Sequence, residues 1–138
     1  MATLKGFDTE RYQQHDAIIK KLVAEFNSDK AKFVNSTSEQ AKAIPNLTDV
    51  LVKSWAIQES GGGDVRSLAA WSKDPMQVNV PGDWSDYKTG IGLKKPLTRN
   101  EGLLEGNIRA AIIWLCRKGF GKSAQPPQNR VSGSFDGW

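Results

Sequence analysis

Apolar residues recur at helical spacing along much of the chain and predict a mostly α-helical protein. The first helix is expected to begin at Asp8 or Thr9 and to end near the sequence "NSD". Its apolar positions are Tyr12, Ile18, Ile19, Leu22, Val23 and Phe26. A weaker helical pattern follows in "KAKFVNSTSEQAKAI" and is closed by Pro45, because proline cannot continue a helix.

The most regular pattern comes late in the chain. Thr98-Arg99-Asn100-Glu101 is a capping box, in which the threonine and glutamate side chains satisfy free N–H groups at the start of a helix. Gly119 is the residue expected just beyond the end of this helix. Its apolar face consists of Leu104, Ile108, Ala111, Ile112 and Leu115.

A further helix is predicted in "LTDVLVKSWAIQES", with Thr48 as its N-cap. The glycines at 61–63 are expected to end it, since glycine adopts left-handed backbone conformations at little cost. Two adjacent stripes run along this helix, one with Leu51, Trp55 and Gln58 and the other with Val52 and Glu59. Glu59 therefore falls in the last helical turn.

The end of a helix is an unusual place for a carboxylate such as Glu59. The C-terminal end of a helix carries partial negative charge, and the neighbouring Trp55 and Ile57 are apolar. Both effects favour the neutral carboxylic acid, which is the form that a general acid needs at neutral pH. A surface glutamate with no chemical role is the alternative interpretation.

Between Val65 and Lys95 the chain is rich in Gly, Pro, Asp and Trp, and irregular structure is expected there. Within it, "PMQVNV" alternates apolar and polar residues and predicts one short strand. Such a strand would place Gln77 and Asn79 on the same face. Their amides suit the hydroxyl and N-acetyl groups of an amino sugar, although a solvated strand face explains them equally well. The predicted fold class is mostly α, an α+β arrangement with a small β element.

The composition predicts one globular domain over 1–138, with 38% hydrophobic and 25% charged residues. The net charge of +4 suits an anionic cell wall or membrane surface. The basic residues are scattered rather than clustered, so no nucleic-acid partner is expected. Neither a classical signal peptide nor a transmembrane segment is predicted, because no sufficiently long apolar stretch occurs.

The counts of cysteine and histidine exclude several kinds of active site. Cys116 is the only cysteine and His15 the only histidine. They allow neither an intramolecular disulfide nor the histidine pair of a zinc hydrolase, so no metal or other cofactor is predicted. Cys116 lies late in an apolar helical pattern, where a buried, unreactive thiol is expected. Carboxylates remain as the candidate catalytic groups.

If Glu59 is the general acid of a glycosidase, a second carboxylate should lie across the cleft to activate water or stabilise the reacting centre. Asp74 is the first choice, because the predicted strand that follows it would hold it in place. Asp64, Asp83 and Asp86 are alternatives. A separation of about 5–5.5 Å between the two carboxylates would predict retention of configuration, and roughly 6.5–9.5 Å would predict inversion.

Three segments in order resemble a known family. "AIQESGG" resembles the Glu-Ser signature of lysozyme-like lytic transglycosylases and goose-type lysozymes, in which that glutamate ends a helix and is the catalytic acid. "DPMQVNV" is similar to the family's Gly-Leu-Met-Gln-Ile segment, and "EGNIRAAIIWLCRKG" to its later Asn-Ile helix. The similarity spans about Leu47 to Gly121. It implies a lysozyme-like fold and cleavage of the β-1,4 bond between N-acetylmuramic acid and N-acetylglucosamine in peptidoglycan.

The resemblance also implies roles for individual residues. Glu59 would be the acid and Asp74 the base or stabiliser. Sugar contacts are expected from Ser60, Gln77, Asn79, Trp71, Trp84 and Tyr87. Pro75 stands where the family usually has a glycine or another small residue, and Asp74 precedes it. This pattern resembles the muramidase effectors of bacterial type VI secretion, which pair the glutamate with an aspartate. With a lone glutamate the sugar's own hydroxyl would attack instead, as in lytic transglycosylases.

These parallels predict an antibacterial toxin that acts in the periplasm or cell wall of a target bacterium. It would leave its producer through a dedicated secretion machine or after phage lysis, and a cognate immunity protein and a secretion-system component are expected partners. Family members continue into a cleft-lining Tyr-Asn-Gly segment, whereas this chain ends at "FDGW", so either the chain is truncated or that wall is built differently. A non-catalytic wall-binding module and an interaction domain of a secretion or phage-tail assembly are the alternatives to an enzyme.

Overall fold

The computed structural model describes residues 9–33, 41–42, 44–90, 94–95 and 104–119. This part of the chain is mostly helical. A short 3-10 helix, Glu10–Gln13, precedes six α-helices: α1 (Asp16–Ser28), α2 (Lys30–Phe33), α3 (Asp49–Ser60), α4 (Val65–Lys73), α5 (Asp86–Gly90) and α6 (Leu104–Gly119). Helix α1 packs against α3 and α6, and α4 packs against the same two helices.

The predicted small β element is wrong for the described residues, which contain no strand. The "PMQVNV" segment forms consecutive turns at 75–76 and 78–79 instead. Its apolar members, Met76 and Val78, are buried as they would be in a strand, so burial alone produced the alternating pattern. The mostly α part of the predicted fold class is confirmed.

The first predicted helix is divided into two elements. The 3-10 turn at 10–13 stops before His15, which is the N-cap residue of α1. Helix α1 then buries the apolar positions that the pattern indicated, Ile19, Leu22, Val23 and Phe26. The division matters because it frees the polar residues at 11–15 to contact later parts of the chain.

Helix α3 begins and ends where the sequence predicts. The Thr48 hydroxyl accepts a hydrogen bond from the Leu51 N–H at 3.1 Å, which confirms the N-cap. Gly61 follows the helix, but its φ of −79° is not left-handed. Glycine is needed there because a Cβ atom would lie only 2.5 Å from the Ile57 carbonyl oxygen. The left-handed residue of this turn is Gly63, with φ +87°.

Helix α4 lies in the region that was expected to be irregular. Its N-cap is Asp64, whose carboxylate accepts a hydrogen bond from the Ser67 N–H at 2.9 Å. One face of the short helix buries Ala70 and Trp71, while Val65 is largely exposed. Four polar or charged residues and two alanines among nine positions obscured this pattern in the sequence.

Helix α6 crosses the core and buries Ile108, Ala111, Ile112 and Leu115, as its apolar face predicts. The capping box at 98–101 lies outside the described residues. Cys116 is fully buried, and burial raises the pKa of its thiol to about 12, in agreement with the expected unreactive cysteine. None of the helices in the described part of the chain has the length and apolar character needed to cross a membrane.

Candidate active site

Glu59 lies in the last turn of α3 and is half-buried, as its place in the sequence predicts. The next residue, Ser60, is almost completely buried. Two hydrogen bonds connect these residues to the turn segment 74–79. The Ser60 hydroxyl donates to the Pro75 carbonyl at 2.8 Å, and the Gln77 side-chain amide donates to the Glu59 carbonyl. The first two family-like segments are therefore in direct contact at the residue proposed as the acid.

Gln77 reaches Glu59 through an uncommon backbone conformation. Its φ is +54°, in the left-handed region that non-glycine residues seldom adopt. The carbonyl groups of the last helical turn have no partner within the helix, so a side-chain donor at this end satisfies one of them. Gln77 thus caps the C-terminal end of α3 from a different part of the chain.

Asp74 organises the turn segment from its centre. Its side chain is fully buried, and its two carboxylate oxygens accept hydrogen bonds from the N–H groups of Val78, at 3.1 Å, and Asn79, at 2.8 Å. Its own carbonyl accepts the Gln77 N–H at 2.8 Å. These contacts position the turn that carries Gln77.

The burial of Asp74 differs from the expectation of an accessible second carboxylate. A base that activates water needs an oxygen that water can reach. Among the alternatives, Asp83 and Asp86 are exposed. Asp64 is occupied as the cap of α4, and hydrogen bonds from Ser67 lower the pKa of its carboxyl group.

Helix α6 brings the third family-like segment into the same region. Asn107 is fully buried, and its amide donates to the Lys73 carbonyl at 2.8 Å. The Asn79 amide in turn donates to the Asn107 side-chain oxygen at 3.3 Å. Asn107 was not among the predicted site residues, although the Asn-Ile pair at 107–108 was part of the resemblance.

Arg11 and Tyr12 form a second support for the end of α3. The sequence did not predict these contacts. The Tyr12 hydroxyl donates to the Gly61 carbonyl at 2.6 Å, and the Arg11 guanidinium donates to the same oxygen at 2.5 Å. The guanidinium also donates to the Tyr12 hydroxyl at 3.1 Å. The two residues therefore hold the first peptide beyond α3.

Trp71 is the point at which the N-terminal segment meets α4. Its indole N–H donates to the Gln14 side chain at 3.2 Å, and the His15 Nε2 atom lies 2.7 Å from its carbonyl oxygen. The His15 and Tyr12 rings lie against the indole, with centroid distances of 4.8 and 5.4 Å. Burial lowers the pKa of His15, against a smaller opposing effect of the hydrogen bond to Trp71. Periodicity placed Tyr12 among the apolar positions of the first helix and gave no signal for the contacts of Gln14 and His15.

Most of the predicted sugar contacts are used inside the protein. The Ser60 hydroxyl and the amides of Gln77 and Asn79 form the internal hydrogen bonds given above. Trp71 is only 3% exposed and belongs to the core rather than to a sugar-binding surface. Trp84 is half-buried, with its indole N–H donating to Thr89 at 3.2 Å. Tyr87 lies in α5, but its side chain is outside the described part of the structure.

Lys88 links α5 to the turn segment and is a second residue that the sequence gave no reason to select. Its ammonium group is buried and donates to the Val78 carbonyl at 2.7 Å. It also lies 4.2 Å from the centroid of the Trp114 ring and 5.3 Å from that of Trp84. The partly exposed Trp84 is thereby positioned next to the 74–79 turn.

Among the cavities bounded by described residues, two lie elsewhere and are not lined by Glu59. One, of about 270 Å³, includes Asp16, Asp49 and Lys53 in its lining. The other, of about 400 Å³, includes Phe33 and Arg109. No group of three or more histidine, cysteine, aspartate or glutamate side chains in the described part of the chain could hold a metal ion.

No protein-family model matches the chain, and neither a curated protein nor a solved structure matches it.

Proposed function

We propose that the protein is a peptidoglycan glycosidase of lysozyme-like fold in which Glu59 is the general acid. It would cleave the β-1,4 bond between N-acetylmuramic acid and N-acetylglucosamine. The observation that carries this proposal is the convergence of three segments separated in sequence. Hydrogen bonds join Ser60 to Pro75, Glu59 to Gln77, and Asn79 to Asn107.

This arrangement suits a proton donor. General acid catalysis requires the donor to be held at a fixed position relative to the glycosidic oxygen. The backbone that follows the Glu59 side chain is fixed, because Gln77 binds the Glu59 carbonyl and Tyr12 and Arg11 bind the Gly61 carbonyl. Its half-buried side chain is partly withdrawn from water while remaining accessible to a ligand.

The state of Asp74 favours a second candidate, a lytic transglycosylase. Both Asp74 oxygens accept backbone hydrogen bonds in a fully buried position. With Asp74 engaged in this way, Glu59 can act without a second carboxylate if a hydroxyl of the muramic acid residue attacks the anomeric carbon of that same residue. The C–O bond to the leaving sugar breaks as Glu59 donates a proton to the leaving oxygen. The Glu59 carboxylate then recovers a proton from the attacking hydroxyl. In the hydrolytic muramidase, Asp83 or Asp86 would instead activate water.

The biological setting that we propose is the wall of a target bacterium. The net charge of +4 favours accumulation on anionic wall polymers. A protein that cleaves peptidoglycan endangers its producer, and a cognate immunity protein and a secretion-system component are the proposed partners. A non-catalytic wall-binding module is the competing proposal, and it predicts that Glu59→Gln leaves binding and biological effect unchanged.

Fragment analysis separates these possibilities. Purified peptidoglycan is digested with wild type and Glu59→Gln, and the soluble fragments are identified by mass spectrometry. Reducing ends that disappear with Glu59→Gln would support the muramidase, and anhydro ends that disappear would support the lytic transglycosylase. No soluble fragments from the folded wild type would contradict the enzyme proposal and favour the binding module.

A further inference from the structure

The Arg11 guanidinium lies beside the glycine turn that follows Glu59 and retains unused hydrogen-bond donors. One of its terminal nitrogens, Nη2, donates to the Gly61 carbonyl at 2.5 Å and to the Tyr12 hydroxyl at 3.1 Å. No described residue accepts a hydrogen bond from the other terminal nitrogen, Nη1, or from Nε. Nη2 therefore holds the guanidinium in place, and the hydrogens of Nη1 are available to a ligand.

No described carboxylate forms an ion pair with Arg11. The half-buried Arg109 shows the contrasting case, since it pairs with Glu25 at 2.8 Å and with Glu105 at 3.8 Å. Arg11 is also half-buried, and its ring neighbour Tyr12, 4.9 Å from the guanidinium carbon, restricts its orientation. A partly desolvated guanidinium of fixed orientation is a strong binding site for a carboxylate, which can accept a charge-assisted hydrogen bond from Nη1.

Gly63 of the glycine turn lies against the guanidinium. A Cβ atom on Gly63 would lie 3.1 Å from Nη1 and 3.3 Å from Nη2 of Arg11, so any larger residue would crowd the group. Gly63 also requires its left-handed φ of +87°. The next glycine on the same turn, Gly62, is exposed. Because Gly63 places no side chain against Nη1, a ligand group can approach the guanidinium.

We propose that Arg11 binds a carboxylate of the substrate at the glycine turn next to Glu59. This inference rests on the proposed peptidoglycan substrate and specifies how that substrate is recognised. Peptidoglycan offers such a group from two sources, the lactyl ether of N-acetylmuramic acid and the stem peptide attached to it. N-acetylglucosamine has no carboxylate, so Arg11 would direct the muramic acid side of the bond toward this turn.

Ligand titrations followed by ¹H–¹⁵N NMR test the proposal without requiring catalysis. The probes are N-acetylmuramic acid, muramyl dipeptide (in which the lactyl group is amidated and the carboxylates are on the peptide) and N-acetylglucosamine. We expect at least one of the two acidic probes to shift the Gly61, Gly62 and Gly63 amide signals, and N-acetylglucosamine to leave them in place. The acidic probe that binds identifies the source of the carboxylate.

Three variants separate charge from geometry. Arg11→Gln should weaken binding of the acidic probe about tenfold or more, because it removes a charged donor. Arg11→Lys keeps the charge but not the planar group held by Gly61 and Tyr12, so an intermediate loss is expected. Arg66→Gln, which removes an exposed arginine from α4, is the control and should not change the affinity. Since Arg11 also binds Gly61, thermal unfolding establishes that each variant is folded at the titration temperature.

Equal affinity of wild type and folded Arg11→Gln for both acidic probes, or no binding of either probe to wild type, would overturn the proposal. Its failure is distinguishable from failure of the proposed function. Glu59-dependent cleavage with Arg11-independent binding would retain the glycosidase and reject this site. Arg11-dependent binding by a protein that cleaves no peptidoglycan would retain the site and reject the glycosidase.

Discussion

The side-chain amide of Gln77 donates a hydrogen bond to the backbone carbonyl of Glu59. This contact joins the end of the helix that carries the proposed acid to a turn that lies later in the chain. Gln77 makes it from a left-handed backbone conformation, with φ +54°. Conformations of this kind cost free energy and persist where surrounding interactions compensate for them. The contact therefore identifies Gln77 as a positioning residue for Glu59.

Replacement of Gln77 by alanine or glycine separates its two contributions. Both variants lose the hydrogen bond, at a cost of about 1 kcal/mol in the free energy of unfolding. Gln77→Ala should be the less stable of the two by about 1 kcal/mol, because glycine tolerates the left-handed backbone. We expect Gln77→Gly to remain less active than wild type even though it is more stable than Gln77→Ala. Urea unfolding and the rate of peptidoglycan cleavage measure these effects, and equal stability of the two variants would contradict the backbone assignment.

Ser60 is predicted to connect α3 to the turn segment through its hydroxyl. Ser60→Ala leaves the Pro75 carbonyl without that donor, which should lower the free energy of unfolding by about 1–3 kcal/mol. Ser54→Ala is a matched control on the same helix, because the Ser54 hydroxyl is buried without a hydrogen-bond partner among the described residues. Its removal should change stability by less than about 0.5 kcal/mol or increase it. Chemical denaturation of both variants tests the difference, and similar losses for the two would refute the assignment.

Asp74 is predicted to stabilise the turn rather than to activate water. Asp74→Asn replaces one acceptor oxygen with an NH₂ group that faces a backbone N–H, so we expect a loss of about 1–3 kcal/mol in unfolding free energy. Asp83→Asn alters an exposed residue and should change stability by no more than about 0.5 kcal/mol. If Asp74→Asn were as stable as wild type and yet inactive, the catalytic role first expected for Asp74 would be favoured over the structural one.

The buried His15 should make stability depend on pH. Burial holds the pKa of His15 below its usual value near 6.5, so the unfolded chain binds a proton at a pH where the folded protein does not. Unfolding therefore takes up a proton below about pH 6.5, and the contribution of His15 to stability is present above that pH and is lost as the pH falls. His15→Gln retains a donor for the Trp71 carbonyl and should lack this pH-dependent contribution to stability. Unfolding free energies between pH 5 and 8 compare the two proteins, and identical pH profiles would contradict the prediction.

The elements that the sequence predicted well are those with local signals. Thr48 caps α3 through a contact three residues away, and the burial of Ile108 and Ile112 follows from their helical spacing. Glu59 could be placed in the last turn of α3 because the glycines that follow it stop the helix. Such interactions operate over a few residues and are visible in the order of residues alone.

The elements that the sequence did not predict depend on contacts between distant positions. The 75–80 segment alternates like a strand, but Asp74 folds it into turns by accepting hydrogen bonds from the backbone of Val78 and Asn79. Tryptophan is a residue type that stacks on sugar rings, but Trp71 is covered by Tyr12 and His15 from near the start of the chain. No periodicity reports these pairings, and they determine which polar groups remain available to a ligand.

The most direct test of the proposed function is the initial rate of soluble-fragment release from purified peptidoglycan by wild type, Glu59→Gln and Gln58→Ala. Gln58 is the exposed neighbour of Glu59 on α3, and its replacement controls for changes at the end of that helix. Loss of a general acid should lower the rate by about 10²–10⁴-fold, so Glu59→Gln should be nearly inactive while Gln58→Ala stays within about twofold of wild type. A folded Glu59→Gln variant that releases fragments at the wild-type rate would contradict the assignment of Glu59 as the acid.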